Sequence, residues 1–203
     1  WPREYDPLVL PDLDAPSSFL TPLKLKRIDT NVENCRAAFA RAGKAVRIEP
    51  AQIDSTQCTR QDTIKLASLS TAKLNEEETR CAIAARLFMW EHNVVQPAAR
   101  QHLGEPVAEI LHFGSYSCRT IRGSSAASEH ATANAFDISG FRLSSGKLVS
   151  LKQQWQGSQP EAEFLKEVRD GACDYFNVVL SPDYNADHHD HLHVDMGWYR
   201  TCR

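Results

Sequence analysis

The sequence predicts an α+β fold, with a small antiparallel sheet flanked by about three helices and preceded by an extended arm. Apolar residues recur at helical spacing mainly before residue 104, whereas strand-like runs dominate from residue 107 onward. A Ser-Ser-Gly sequence at 144–146 separates two of these runs and indicates a hairpin turn. Helices followed by strands with a tight hairpin favour an antiparallel sheet over alternating βαβ units.

The beginning of the chain carries five prolines in 29 residues and no sustained apolar period. This composition predicts an extended arm, residues 1–29, that lies over the rest of the chain and adds nothing to the core. Residues 30–203 then suit a single domain, with a helical part at 30–104 and the sheet at 105–203.

Three segments carry the signals of helices. We expect these helices at residues 30–43, 75–97 and 160–171. Thr30 and Glu33 form a capping box at the first start, and Asn75 with Glu78 gives a similar signal for the second. Pro97 interrupts the second helix, which is the longest of the three.

Strand-like runs lie between and after these helices. They cover residues 107–113, 135–143, 147–151, 177–180 and 191–196. The runs at 135–143 and 191–196 alternate polar with apolar residues, so each is expected to present its polar side chains on one face of the sheet.

Bulk composition excludes two classes of partner. Net charge is -3 and the basic residues are scattered, so the basic stripe typical of nucleic-acid binding is missing. No stretch approaches the ~20 consecutive apolar residues of a membrane span. We therefore expect no nucleic-acid partner and no transmembrane segment, and we expect a monomer.

The cysteines indicate an oxidising compartment. Six of them are dispersed without a CxxC pair, which argues against a zinc ribbon or a thioredoxin-type motif: Cys35, Cys58, Cys81, Cys118, Cys173 and Cys202. Disulfides, and with them the periplasm or the exterior, are favoured over six reduced buried thiols. Fifteen pairings are open. Because the chain begins at Trp1 without an apolar leader, we expect that an export signal or anchor was removed before it.

Histidines and carboxylates cluster in two segments. Four of the eight histidines fall within residues 188–193. In a strand, alternate side chains share a face, so His191, His193 and Asp195 are expected to point the same way. The segment 128–139 offers His130 and, seven residues later, Asp137.

Two imidazoles and one carboxylate suit a catalytic zinc ion, which keeps three protein ligands and leaves the fourth position to water. We therefore predict that His130, Asp137 and His193 bind Zn²⁺. His191 lies about 6.5–7 Å along the strand from His193, so it is placed to act as the base beside the ion. Asp190 is a second candidate base, or the partner that fixes an imidazole tautomer.

The two motifs together resemble a known signature. S-x-H-x6-D, given by Ser128, His130 and Asp137, and the later H-x-H, given by His191 and His193, are similar to the LAS metallopeptidases, the lysostaphin, D-alanyl-D-alanine peptidase and hedgehog group. The run 116–197 is closer still to the bacterial extensin-like C-terminal domain family. The serine and proline repeats of plant extensins are absent from the sequence.

This resemblance implies a LAS-type metallopeptidase domain that hydrolyses amide bonds in peptidoglycan cross-links or stems. It implies zinc on His130, Asp137 and His193, with His191 as the catalytic histidine. Arg119 falls where D-Ala-D-Ala peptidases have the arginine of their G-Y-R-S segment, although the run here is G-S-Y-S-C-R; its planar fork could bind a substrate carboxylate or polarise the scissile carbonyl. Neither Glu nor Trp precedes His193, so the murein endopeptidase pattern fits better than the carboxypeptidase pattern.

Several alternatives remain open at this stage. The ligands are also compatible with a non-catalytic, zinc-containing binding module of hedgehog type, or with a structural periplasmic domain that collects metal adventitiously. Arg119 could pair with a surface carboxylate instead of substrate. His188 and His189, which lie between aspartates, are expected to be solvated loop residues. Asp195 could act as a hydrogen-bond partner of a metal ligand.

Overall fold

The structure is a computed structural model that describes residues 6–203. It confirms the α+β class. Its α-helices are α1 (Thr21–Asp29), α2 (Val32–Arg41), α3 (Cys81–Trp90), α4 (Gln96–Leu103), α5 (Leu151–Gln154) and α6 (Pro160–Ala172). Its strands are β1 (Gln52–Ile53), β2 (Thr59–Arg60), β3 (Thr63–Ser68), β4 (Lys73–Arg80), β5 (Val107–Gly114), β6 (Ala135–Leu143), β7 (Leu148–Ser150), β8 (Val178–Leu180), β9 (Leu192–Asp195) and β10 (Thr201–Cys202).

The main sheet is larger than the sequence indicates. It has eight strands in the order β10-β8-β9-β6-β5-β4-β3, with β7 paired to β6. Most neighbours are antiparallel, while β4 with β5 and β10 with β8 are parallel. The separate β1–β2 pair is a small antiparallel ribbon. All five strand-like runs of the sequence are strands in this sheet, and the turn at 144–146 joins β6 to β7.

The core lies between the sheet and a layer of helices. Trp90 of α3 and Phe164 of α6 both pack on Phe141 of β6, with ring centroids 6.3 and 5.1 Å apart. All three rings are fully buried. The opposite face of β6 is therefore left for the loops and polar side chains that form the site.

The expected arm contributes to the core, which differs from the prediction. Residues 6–20 are free of helix and strand, but α1 follows them with Pro22 in its first turn, where proline is tolerated. Leu13, Leu25 and Ile28 belong to the main apolar core. Prolines here mark the approach to a helix and do not exclude packing.

The N-terminal boundary of α2 also differs slightly from the prediction. Asn31, and not Thr30, is the capping residue, because its side-chain oxygen accepts hydrogen bonds from the amides of Glu33 and Asn34.

The predicted helix start at Asn75 is wrong, because that residue lies in β4. The β3–β4 turn is held by the buried carboxylate of Glu91, which accepts from the amides of Ser70, Thr71 and Ala72. Tertiary contacts thus override the helical propensity of a glutamate-rich segment.

Pro97 does not end the long helix. A π-helical turn, Glu91–Val95, joins α3 to α4 and places Pro97 in the first turn of α4. Because the wider turn shifts the hydrogen-bond ladder, the missing N–H of proline is tolerated there.

All six cysteines form disulfides, as expected. The pairs are Cys35–Cys81, Cys58–Cys118 and Cys173–Cys202. Such bonds persist in oxidising compartments. None of the helices within residues 6–203 combines the length and apolar character that a membrane crossing requires.

Candidate metal centre

Three predicted ligands converge at one point. Nε2 of His130 lies 3.2 Å from Nδ1 of His193 and 3.1 Å from Oδ2 of Asp137, while Nδ1 of His193 lies 2.8 Å from Oδ1 of Asp137. Ligands bonded to one tetrahedral zinc at ~2.0–2.1 Å are about 3.3 Å apart, so these separations fit a shared ion. Within the part of the chain that the structure describes, this is the one such group of three.

Strand register brings Asp137 and His193 together. The two residues are direct partners in the antiparallel β6–β9 pair. The β5–β6 register shifts at Ser139, which lies between the paired residues Ile138 and Gly140. At this bulge the alternation of side chains between the two faces of β6 is reversed. Phe141 therefore faces the core, although in a regular strand it would share a face with Asp137, four residues earlier.

His130 is presented by a short 3-10 helix, Glu129–Thr132, just before β6. The Ser128 hydroxyl caps this turn by accepting from the amide of His130. Ala133 then turns the chain into β6 with a φ of 52°, a left-handed conformation that costs a residue with a side chain more than it costs glycine.

Outer hydrogen bonds orient both imidazoles. Nδ1 of His130 donates to the carbonyl of Ser115 at 2.7 Å, and Nε2 of His193 donates to the Asp195 carboxylate at 2.9 Å. Asp195 is held in turn by the amide of Gly197. Each ring therefore directs its other nitrogen toward Asp137, which is the arrangement that orients metal ligands in proteins.

The three converging side chains include one ionised pair in a buried setting. Burial opposes ionisation of Asp137, but hydrogen bonds from His130 and His193 outweigh it and hold its pKa well below the usual range. Burial also disfavours the charged form of His193, yet hydrogen bonds to Asp137 and Asp195 raise its pKa to about 9. Two carboxylates around one imidazole thus stabilise its protonated form.

His191 lies beside these donors. Its Nε2 is 3.6 Å from Oδ1 of Asp137, and its Nδ1 is 3.0 Å from Oδ1 of Asp190. Since the carboxylate of Asp190 accepts the Nδ1 proton, Nε2 is the nitrogen of His191 that faces the centre. Asp190 therefore makes the hydrogen bond that the second of the two roles considered for it requires.

His188 is closer to the centre than the sequence indicates. Its half-buried ring packs on His191 and His193 at centroid distances of 5.1 and 5.7 Å. Burial, with the nearby charges of those two rings, lowers the pKa of His188 to about 4. His189 is exposed, as expected. The H-x-x-H-x-H spacing was the available signal for His188.

Arg119 is exposed in the loop between β5 and the 3-10 helix, next to the Cys58–Cys118 disulfide. Among residues 6–203 no contact joins its side chain to the three converging donors. Its neighbour Arg122 forms a 2.5 Å ion pair with Asp187, which connects this loop to the histidine-rich one. Sequence reasoning did not single out that pair.

The family model described as extensin-like protein C-terminus matches residues 33–203, which is most of the chain and includes every residue of the centre. The chain belongs to this family. No curated protein and no solved structure matches it. The matched segment of the extensin-like domain begins inside α2, so α1 packs on the domain from outside the matched range.

Proposed function

We propose that the extensin-like domain is a zinc-dependent peptidase that hydrolyses amide bonds in peptidoglycan peptides, as an endopeptidase. The observation that carries this proposal is the convergence of His130, Asp137 and His193 within hydrogen-bond distance of one another, with both outer imidazole nitrogens already engaged. The resemblance to LAS metallopeptidases supports the substrate class. The three disulfides support an extracytoplasmic location, in the periplasm or outside the cell.

The side chains of the site divide the chemistry among them. His130, Asp137 and His193 would hold the ion, which supplies Lewis acidity at the scissile carbonyl when bound. His191 takes a proton at Nε2 from the attacking water and returns it to the leaving amine, while Asp190 holds the ring in the tautomer that makes this transfer effective. Arg119, which is exposed in the loop that precedes His130, binds a carboxylate of the substrate.

Purified sacculi provide the direct test of this function. With zinc present, the protein should release muropeptides whose masses identify the cleaved amide bond, and a chelator should abolish release. Adding zinc back should restore it. If the sacculi remain intact under all three conditions while zinc is bound stoichiometrically, the peptidase proposal is wrong.

Zinc affinity is expected to rise with pH, because the ion must displace the proton on His193. Below a pKa of about 9, each pH unit costs roughly tenfold in apparent affinity for one displaced proton. Titration calorimetry in buffers of different ionisation enthalpy should detect close to one proton released per ion near neutral pH. Constant affinity between about pH 6 and 8, without proton release, contradicts the assignment.

The same proton affects the metal-free fold. Because the folded pKa of His193 lies above its ordinary value of 6.5, the stability that it contributes is fully present below 6.5. That contribution is lost as pH rises through about 9.

A further inference from the structure

Exposed aromatic side chains are concentrated around the metal centre. Five phenylalanine, tyrosine or tryptophan side chains are exposed within residues 6–203, namely Phe19, Phe113, Tyr184, Trp198 and Tyr199. Four of them flank the centre, and Phe19 lies elsewhere, beside a cavity between α1 and residues 174–177. Exposed aromatic groups gathered at one place mark a binding surface more often than a structural one.

Three of these residues form one wall, on the Asp195 side. Trp198 is 92% exposed, and its ring lies 5.6 Å from that of Tyr199 in an edge-on arrangement. Tyr199 lies near both Asp195 and Tyr184. Tyr184 continues the wall to His188, at a centroid distance of 5.5 Å. We call Tyr184, Trp198 and Tyr199 the aromatic wall.

The aromatic wall is attached to the metal centre through a fixed loop. The amide of Gly197 donates to Asp195, and the carbonyl of Gly197 accepts from the side chain of Asn177. A Cβ at Gly197 would approach Asp195 at 3.0 Å and Glu129 at 3.1 Å, so a larger residue there would require these carboxylates to move by a few tenths of an ångström. Trp198 is thus exposed on a segment whose backbone is held in place.

Charge around the aromatic wall favours a neutral occupant. The carboxylates of Asp195 and Glu129 lie within 3.1 Å of the Cβ position at Gly197, the residue before Trp198, and the exposed carboxylate of Asp187 in the same loop as Tyr184 is already paired with Arg122. Arg200 directs its guanidinium to the carbonyl of Cys173. A peptide stem bearing free carboxylates is repelled by such a surface, whereas a sugar ring can stack its C–H face on an aromatic ring and donate its hydroxyls to oxygen acceptors.

We propose that the aromatic wall binds an N-acetylated sugar of the glycan strand to which the scissile peptide is attached. This inference rests on the proposed function, since it assumes a peptidoglycan substrate. It assigns the wall to the neutral glycan and leaves the charged peptide to the metal centre and Arg119. The domain then selects strand-linked peptides over free ones.

A soluble oligomer of N-acetylglucosamine tests the proposal without any need for hydrolysis. Calorimetric titration of the intact protein with the tetrasaccharide should show binding, and Trp198→Ala should weaken it about tenfold, the loss expected for one aromatic stacking contact. Phe19→Ala is the matched control, because it also removes an exposed ring but should leave the affinity within about twofold.

A third variant separates this proposal from the one on which it rests. Asp137→Asn should retain the tetrasaccharide affinity, because glycan binding by the aromatic wall needs no metal ion. If the parent fails to bind the tetrasaccharide, or if Trp198→Ala binds it as well as the parent does, the wall is not a glycan site. Trp198-dependent binding of the free stem peptide in place of the sugar also overturns the proposal, whether or not sacculi are cleaved.

Discussion

Asp137→Asn should lower zinc affinity at least about 100-fold and hydrolysis of sacculi about a thousandfold or more. The substitution preserves side-chain size but removes the charge that lies within 3.1 Å of both imidazoles. A metal ion supplies several kcal/mol of transition-state stabilisation, and each 1.36 kcal/mol is about tenfold in rate. Metal content after dialysis, by mass spectrometry, and muropeptide release measure the two effects.

The matched control for this variant is Asp187→Asn. Asp187 is an exposed aspartate that pairs with Arg122 outside the metal centre, so zinc content should remain at one ion per chain. Far-ultraviolet circular dichroism shows whether each variant keeps its secondary structure. A folded Asp137→Asn protein that retains stoichiometric zinc and full turnover is incompatible with Asp137 as a ligand.

His191→Ala should keep zinc while hydrolysis falls by about 10²–10⁴-fold, the range for removal of a general base. His191 donates through Nδ1 to Asp190 and does not belong to the three converging donors. Zinc content and the rate of muropeptide release, measured on the same preparation, separate a loss of chemistry from a loss of metal. The loss should be largest in kcat, with KM little changed.

His189→Ala is the control for that experiment, because His189 is an exposed imidazole two residues away in the same loop. It should behave as the parent does. Turnover by His191→Ala at the parent's rate removes the role given to His191. A parent protein that binds zinc and sacculi but cleaves nothing favours the non-catalytic binding module, since ligands alone do not make an enzyme.

The convergence of the three donors could be predicted because side chains alternate between the two faces of a strand. His193 lies in β9 and His191 stands just before that strand, two residues earlier, while in β6 the alternation around Asp137 is intact up to the bulge at Ser139. Neither segment by itself indicates the antiparallel pairing that makes Asp137 and His193 direct partners. The family pattern supplied that information, because local periodicity cannot choose the partner of a strand.

Other features depended on contacts between distant residues and were missed for that reason. The glutamates of β4 predict a helix locally, and only the capping of the β3–β4 turn by Glu91 shows why a strand forms. The packing of His188 on His193 depends on how its loop folds back over β9. The disulfide pairing was one of fifteen choices, and sequence spacing does not rank them.

The two-residue strand β10 has a consequence for how the protein must be handled. It pairs with β8, whose residues Val178, Val179 and Leu180 are all buried, and the Cys173–Cys202 bond ties it there. Reduction removes this covalent tie, and detachment of β10 would leave β8 as an apolar edge strand with unpaired backbone groups, the geometry through which separate molecules join edge to edge. Thiol-free buffers are therefore needed to keep preparations from forming intermolecular β-aggregates.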